Sequence, residues 1–521
     1  MQKTAHSPLK SFSLLHPILF AACSAIIMYV EKADASALIP PQDVILPTLF
    51  ALTCSLLVAL SGAILTRKAE TAALIASLFV LGFFHLWPIY LATICIVGLG
   101  AFLVWMLRRK IRLMEVNLIF TMVSLFIFGY YLYRYLDFVN DQHWGSSPYV
   151  ARVIVDQTDG TIVPENAPDI YYIILDGYGR ADMLNTVYGY DNSGFITALE
   201  QRGFFVASRS QANYPRTLLS LSSSLNMQYL DRMPEVMGES DLWWPIMNTI
   251  QHSELRSFLE AGGYQTIFLA SGWDYSDIRD GDEYLSPYRI MLRDFDKTFV
   301  RITNLRFLGQ IDWAGLSYPS YDMHRRLIHY EFATLVDVAS NPGPKFVFAH
   351  ILAPHAPFVF ARDGEPVDPD YPYSIFDARG LIGNMSQYRQ SYIDQLTYIN
   401  QLTLAMIDGI LARSTTPPVI VIQGDHGPDS FLDYTDYHNS CLYERFSILN
   451  AYYLPGVQLG QVPDDISPVN SFRLITNQYL GTDLEILPND RYFSPSPHLY
   501  QFQDVSDLTE NPCDLPEDTL P

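Results

Sequence analysis

A short apolar run, Val419–Ile422, leads through Gln423 into Gly424-Asp425-His426-Gly427. Four β-branched residues after Pro417-Pro418 read as a buried strand. A carboxylate and an imidazole at its carboxyl end are metal-ligand types, and ligand sites in open α/β sheets collect at the carboxyl ends of strands. Two other stretches repeat the pattern: DIYYIILDGYGR (Asp169–Arg180) and KFVFAHILAPHAPF (Lys345–Phe358). Three apolar strands ending in ligand-type residues predict a mostly parallel sheet with a site where their carboxyl ends meet.

The first quarter of the chain is different. Apolar stretches run over Ser13–Val30, Val44–Leu65, Thr71–Leu107 and Val116–Leu132. The third exceeds one span of about 20 residues, and His85, Trp87 and Pro88 near its middle place a turn between two spans. About five transmembrane helices are therefore expected in a membrane domain, residues 1–136. Apolar residues make up 49% and charged residues 17% of the 521 residues, in keeping with a membrane portion. Lys and Arg gather before the first span, after the second (Arg67, Lys68) and after the fourth (Arg108, Arg109, Lys110, Arg112). The positive-inside rule then puts the N-terminus inside, in a cell (inner) membrane, with the soluble part on the periplasmic or extracellular side.

Charge divides the chain the same way. Up to Tyr135 there are ten Lys and Arg against five Asp and Glu, which leaves −27 for the rest of a chain of net charge −22. An acidic soluble part argues against nucleic acid. It leaves an anionic substrate open, because a bound cation reverses the local sign. Cys441 and Cys513 are the cysteines of the soluble part, and a bridge between them is left open.

After a polar linker, residues 137–168, strands and helices alternate. Strands are expected at Asp169–Leu175, Phe204–Ala207, Tyr264–Ala270, Lys345–Ile351, Val419–Ile422 and Phe446–Leu454. Helices are expected at Phe195–Arg202, from Thr217, at Ile250–Glu260, Ser386–Leu411 and Ser467–Leu480. Tyr284–Gly315 has no clean period. The fold class is α/β: a helical membrane bundle, then a mostly parallel sheet between helix layers over residues 169–503, then an acidic tail, 504–521.

Asp176, before Gly177, reads as a metal ligand or as a turn-forming aspartate. Thr217 follows a Pro-containing loop and opens a Leu/Ser helical run. Its hydroxyl is a cap, or a nucleophile beside free N–H groups that hold a phosphoryl oxygen. Ser220, Ser222, Ser223 and Ser224 fall inside that helix and read as packing or solvent residues. His355, between Pro354 and Pro357, suits a second metal or a substrate oxygen, whereas His350 reads as a core histidine. His438 reads as a loop residue. Asp176, Thr217, Asp425 and His426 offer three oxygens and one nitrogen, which suits zinc or manganese better than calcium.

These motifs resemble the sulfatase-like branch of the alkaline phosphatase superfamily, and most of all its membrane-anchored phosphoethanolamine transferases and lipoteichoic acid synthases. The strand ending in G-D-H-G, the two histidines five apart in FAHILAPHAPFVF, and His438 twelve positions after His426 carry the resemblance. It implies Asp176, Thr217, Asp425 and His426 as metal ligands, Thr217 as nucleophile, and His355 and His438 at a second metal or the substrate. The Cys/Ser-x-Pro-x-Arg motif of sulfatases is absent at Thr217, which points to phosphate rather than sulfate esters. The D-x-x-x-H pair of related phosphodiesterases is also absent, since Tyr398 stands four positions after Asp394.

The expected function is a metal-dependent phosphotransferase. It moves a head group of phosphoethanolamine or phosphoglycerol type from a membrane lipid donor, through phospho-threonine, to an envelope lipid or glycan. The alternatives are a phosphodiesterase or phosphatase that uses water, and a non-catalytic membrane binding protein.

Overall fold

The computed structural model describes residues 12, 14–31, 40–85, 112–141, 167–238, 242–305, 319–371, 373–375 and 385–513. The chain forms two compact units: Met1–Ser146 with Leu292–Tyr318, and Ser147–Met291 with Pro319–Pro521. The segment Leu292–Tyr318, inside the range expected for the catalytic domain, groups with the first unit.

The first unit holds helices α1 (His16–Glu31), α2 (Ile45–Thr66), α3 (Ala69–Val80, continued by a π-helical turn to His85) and α4 (Leu113–Asp141). Pro41–Thr66 and Leu113–Asp137 are long and apolar enough to cross a membrane; His16–Glu31 and Ala69–Phe84 are shorter apolar helices. The span expected after Pro88 lies outside the described residues. Large apolar side chains face outward, with Ile64 77%, Leu65 84% and Phe126 77% exposed. Inside, His16 joins three helices, with Nδ1 2.5 Å from Ser77 Oγ and Nε2 2.7 Å from Asn117 Oδ1. A helix absent from the sequence reading, Asp294–Ile302, belongs to this unit. Its Phe299 ring stacks on Phe84 at 5.7 Å, and Arg293 pairs with buried Asp43 at 2.8 Å.

The second unit is built on a seven-stranded sheet, β1 (Ile170–Leu175), β2 (Phe205–Val206), β3 (Gln265–Leu269), β4 (Glu283–Leu285), β5 (Lys345–Ile351), β6 (Val419–Gln423) and β7 (Asn450–Tyr453), in the order β2-β7-β6-β1-β5-β3-β4. The run β6-β1-β5-β3-β4 is parallel; β7 and β2 add antiparallel pairings at one edge. β1 is central and buried throughout, as its unbroken apolar run requires of a strand covered on both faces. Leu175 is level with Ile351, and Ile174 with Gln423. The three ligand-bearing strand ends therefore leave the sheet side by side.

Helices α5 (Thr217–Asn226), α6 (Tyr321–Asp337), α7 (Met385–Arg413) and α8 (Pro468–Tyr479) pack in this unit. Two expectations fail locally. Ile250–Glu260 is two helices, Trp244–Gln251 and Glu254–Ala261, because Ser253 accepts a hydrogen bond from Arg256 N–H and caps the second. Phe446–Leu454 starts as the end of a helical turn, Leu442–Phe446, and only Asn450–Tyr453 is strand. A disulfide joins Cys441 to Cys513.

Candidate metal centre and nucleophile

Asp176 follows β1 directly, and its N–H bonds Ile351 O of β5 at 3.0 Å while its C=O accepts His355 N–H at 2.9 Å. The loop after β5 is thereby tied to the end of β1. Asp425 and His426 follow β6, where Asp425 Oδ1 accepts the Gly177 N–H at 3.1 Å. Ligand atoms of Asp176, Asp425 and His426 lie within 4.8 Å of one another, and all three residues are buried. Among the described residues, none donates a hydrogen bond to either carboxylate oxygen of Asp176 or to Oδ2 of Asp425. A buried carboxylate left so is costly, and a cation removes the cost. His426 Nε2 lies 3.2 Å from Asp425 Oδ2 and 3.6 Å from Asp176 Oδ1. Those separations match the ligand–ligand edges, about 3.3–3.6 Å, of a tetrahedral ion with bonds near 2.0–2.2 Å. The residues fit a divalent metal.

Thr217 is the first residue of α5. Arg216, not Thr217, occupies the cap position, and no side chain caps the helix. The Thr217 hydroxyl instead meets His426 Nε2 at 2.9 Å. His426 Nδ1 donates to Gly427 O at 3.0 Å, so Nε2 carries the lone pair and the hydroxyl donates to it.

The surroundings tune these groups. Burial raises the Asp176 pKa, but the imidazoles of His355, His350 and His426 outweigh it and hold the carboxyl below its usual range. Burial, with Arg445 nearby, lowers His426 and keeps the ring neutral, the form that binds metal.

Sequence reading missed the supports. Ser220 Oγ donates to Asp425 O at 2.7 Å and fastens α5 to the end of β6. It and its neighbours Ser222, Ser223 and Ser224 are all fully buried, so none is a solvent residue. Arg445 reaches Pro215 O at 2.7 Å and Gly427 O at 2.9 Å, joining the loop before Thr217 to the loop after β6. His350 is buried as a core histidine would be, yet its Nε2 faces Asp176 Oδ2 at 3.4 Å. His324, on α6, is fully buried; desolvation, then the His355 charge, push its pKa down to about 4. No motif marked Ser220, Arg445 or His324, whereas His350 stands in the two-histidine segment FAHILAPHAPFVF.

His355 lies close by, its ring 6.3 Å from that of His426, with Nδ1 donating to Ala356 O at 2.6 Å. His438 is exposed on a 3₁₀ turn against Tyr437, and among the described residues no hydrogen bond or ion pair joins it to the other site residues.

The sequence model of the sulfatase family matches residues 168–447, more than half of the chain. No curated protein matches. Among solved structures, the C-terminal periplasmic domain of EcEptC from Escherichia coli, in complex with Zn, is similar at 14% identity and a TM-score of 0.45, covering 66% of this chain and 94% of that one. The integral membrane lipooligosaccharide phosphoethanolamine transferase A (EptA) from Neisseria meningitidis is similar at 12% identity and a TM-score of 0.42, covering 91% of this chain and 95% of that one.

Proposed function

Because the chain belongs to the sulfatase family, we propose that it is a metal-dependent phosphotransferase that moves a phospho-head group through a phospho-threonine intermediate. The observation that carries this reading is the Thr217 hydroxyl, 2.9 Å from a metal-type histidine and at the first turn of α5, beside the buried carboxylates of Asp176 and Asp425, of whose four oxygens only Asp425 Oδ1 has a hydrogen-bond partner among the described residues.

Asp176, Thr217, Asp425 and His426 would hold the ion, zinc or manganese. A divalent ion held there would lower the pKa of the Thr217 hydroxyl and would offset charge on the phosphoryl oxygens. The first-turn N–H groups of α5, which the Arg216 side chain does not cap, would add to that stabilisation. Thr217 Oγ1 forms a bond to phosphorus as the bond to the donor alcohol breaks in line. An acceptor hydroxyl then attacks the phospho-threonine and the Oγ1–P bond breaks. The proton given up by the acceptor balances the one taken by the leaving alcohol. His355 contacts the substrate or a second metal. The reading gives His438 no part, since it sits on an exposed turn.

The donor is a membrane lipid with an ethanolamine- or glycerol-type phosphate, and the acceptor an envelope lipid or glycan. Support comes from the apolar helices of the first unit and their outward-facing Leu, Ile and Phe side chains, which suit a multi-pass anchor. The charge alternation supports an outer-side catalytic unit, and the Cys441–Cys513 bridge favours an oxidising compartment.

The test is head-group release from vesicles of a labelled phospholipid, with the full chain in detergent and added zinc or manganese. The wild type is expected to move label onto a hydroxyl acceptor, and Thr217→Ala to lose at least about 10³-fold in rate. A Thr217→Ala protein that keeps its rate contradicts the proposal. Release only as free head group replaces transferase with phosphodiesterase.

A further inference from the structure

Helices α2 and α3 of the first unit enclose a groove of about 290 Å³. Leu57, Ser61, Leu65 and Thr66 line it from α2 and Ile75 from α3, with Gly62 between them. Gly62 is where the two helices meet, since a Cβ there would lie 3.2 Å from Ala72 Cα. The small residue lets the backbones close on one another and leaves the rims to larger side chains. Leu57 and Ile75 are exposed, as Leu65 is. Thr66 Oγ1 donates to Gly62 O at 2.7 Å, so its proton is already used. What remains is an apolar trough that suits an alkyl chain. From Leu57 to Thr66 it runs about 14 Å, at about 1.5 Å per residue. That is close to half of a hydrocarbon core roughly 30 Å thick, so the trough is one leaflet deep.

The trough ends at a cationic turn. Arg67 and Lys68 join α2 to α3, and both are exposed. Among the described residues, neither side chain makes a hydrogen bond or an ion pair. Arg67 takes the left-handed conformation, φ 54°, which glycine or asparagine adopts with less strain. An arginine there supplies charge rather than an easy turn. The starts of α3 and α4 come together where Asn117 Nδ2 donates to Glu70 O at 3.3 Å. This end of the unit carries Arg67, Lys68 and Arg112 against Glu70 and Glu115, and Arg108, Arg109 and Lys110 precede Arg112 in the chain. Its net sign is positive.

We propose that this groove binds one anionic phospholipid, with an acyl chain along Leu57–Thr66 and the phosphate on Arg67 and Lys68. Basic pockets between helices on the inner side of a membrane hold anionic head groups in this way. A zwitterionic head group brings an ammonium beside two cations and is disfavoured. The orientation proposed above opens the groove to the inner leaflet. A donor for outward transfer is drawn from the outer leaflet, so the lipid held here is a resident and not the donor. Its binding does not depend on the transfer reaction.

The experiment is lipid retention. The full chain in detergent is titrated with dioleoyl phosphatidylglycerol or dioleoyl phosphatidylethanolamine, and bound lipid is counted by native mass spectrometry. The wild type is expected to keep one phosphatidylglycerol in preference to phosphatidylethanolamine. Arg67→Asn combined with Lys68→Gln should weaken phosphatidylglycerol by about 25-fold, about fivefold per cation. Ser61→Phe, at an exposed position, fills the trough and should displace either lipid. Equal retention of the two lipids overturns the proposal, as does phosphatidylglycerol affinity unchanged in the variants. A graded series of bound lipids with no preferred first one reduces the groove to ordinary boundary lipid and overturns it. A lipid-free dimer gives the groove to a second copy of the chain and overturns it too. If one variant does not fold, the other decides. Failure of the head-group release assay leaves lipid retention unaffected, so the two readings fail separately.

Discussion

At the scale of the residue, the sequence left Thr217 between cap and nucleophile because a hydroxyl at a helix start serves either purpose. Tertiary structure decides where that hydroxyl points. With Arg216 in the cap position and Thr217 Oγ1 on His426, Thr217→Ala removes one buried hydrogen bond and should cost only about 1 kcal/mol in thermal unfolding while abolishing turnover. Asp425→Asn keeps the shape and removes a charge, so it should strip bound metal; unchanged metal by elemental analysis would contradict its role as a ligand. His324 gives a pH signature. Its folded value of about 4 lies below the unfolded 6.5, so the unfolded chain binds the extra proton first and stability falls as pH drops from 6.5 to 4. Relative to His324→Gln, the wild type should lose up to about 3 kcal/mol across that window in denaturant titrations, and parallel curves would contradict the assignment. Asp176, Asp425 and His426 could be read from sequence because each ends or follows an apolar run. His324 and Arg445 could not, since their partners lie on other elements far away in the chain.

Elements carry the next level of constraint. The strand-and-ligand motif survives in the structure because its glycines are forced by close backbone approach. A Cβ on Gly424 would lie 2.5 Å from Tyr178 O, and one on Gly427 2.0 Å from Glu444 O, both rigid main-chain atoms. Gly427→Ala should therefore displace the loop that carries His426 and lower metal affinity with little change in the sheet, read by metal titration beside far-UV circular dichroism. Strands β1, β5 and β6 were readable because parallel strands buried on both faces leave an unbroken apolar run. The helix Asp294–Ile302 was not, because its two buried aromatics, Phe295 and Phe299, sit among charges. It belongs to the first unit, where Asn304 Nδ2 also donates to Gly82 O at 2.9 Å. Phe299→Asp puts a charge into the contact with Phe84 and should destabilise that unit by several kcal/mol; an unchanged melting profile in detergent would contradict the packing.

Over the whole molecule, the division into a basic apolar part and an acidic α/β part was plain from charge and hydropathy. The return of residues 292–318 to the first unit was not, since chain order alone does not show a segment leaving one unit for another. The Cys441–Cys513 bridge was open in the sequence because two cysteines fix no framework; it spans 72 residues, and Cys513→Ala should cost about 2–4 kcal/mol in oxidising buffer and nothing in reducing buffer. The central claim is that a phosphoryl group passes through Thr217. The most direct test is a peptide mass spectrum of the full chain purified from its own membranes, with metal retained. The account predicts an adduct of phosphate mass, with or without a small alcohol, on the peptide that holds Thr217. A metal-loaded protein that turns over while Thr217 stays unmodified and another residue carries the adduct would contradict it.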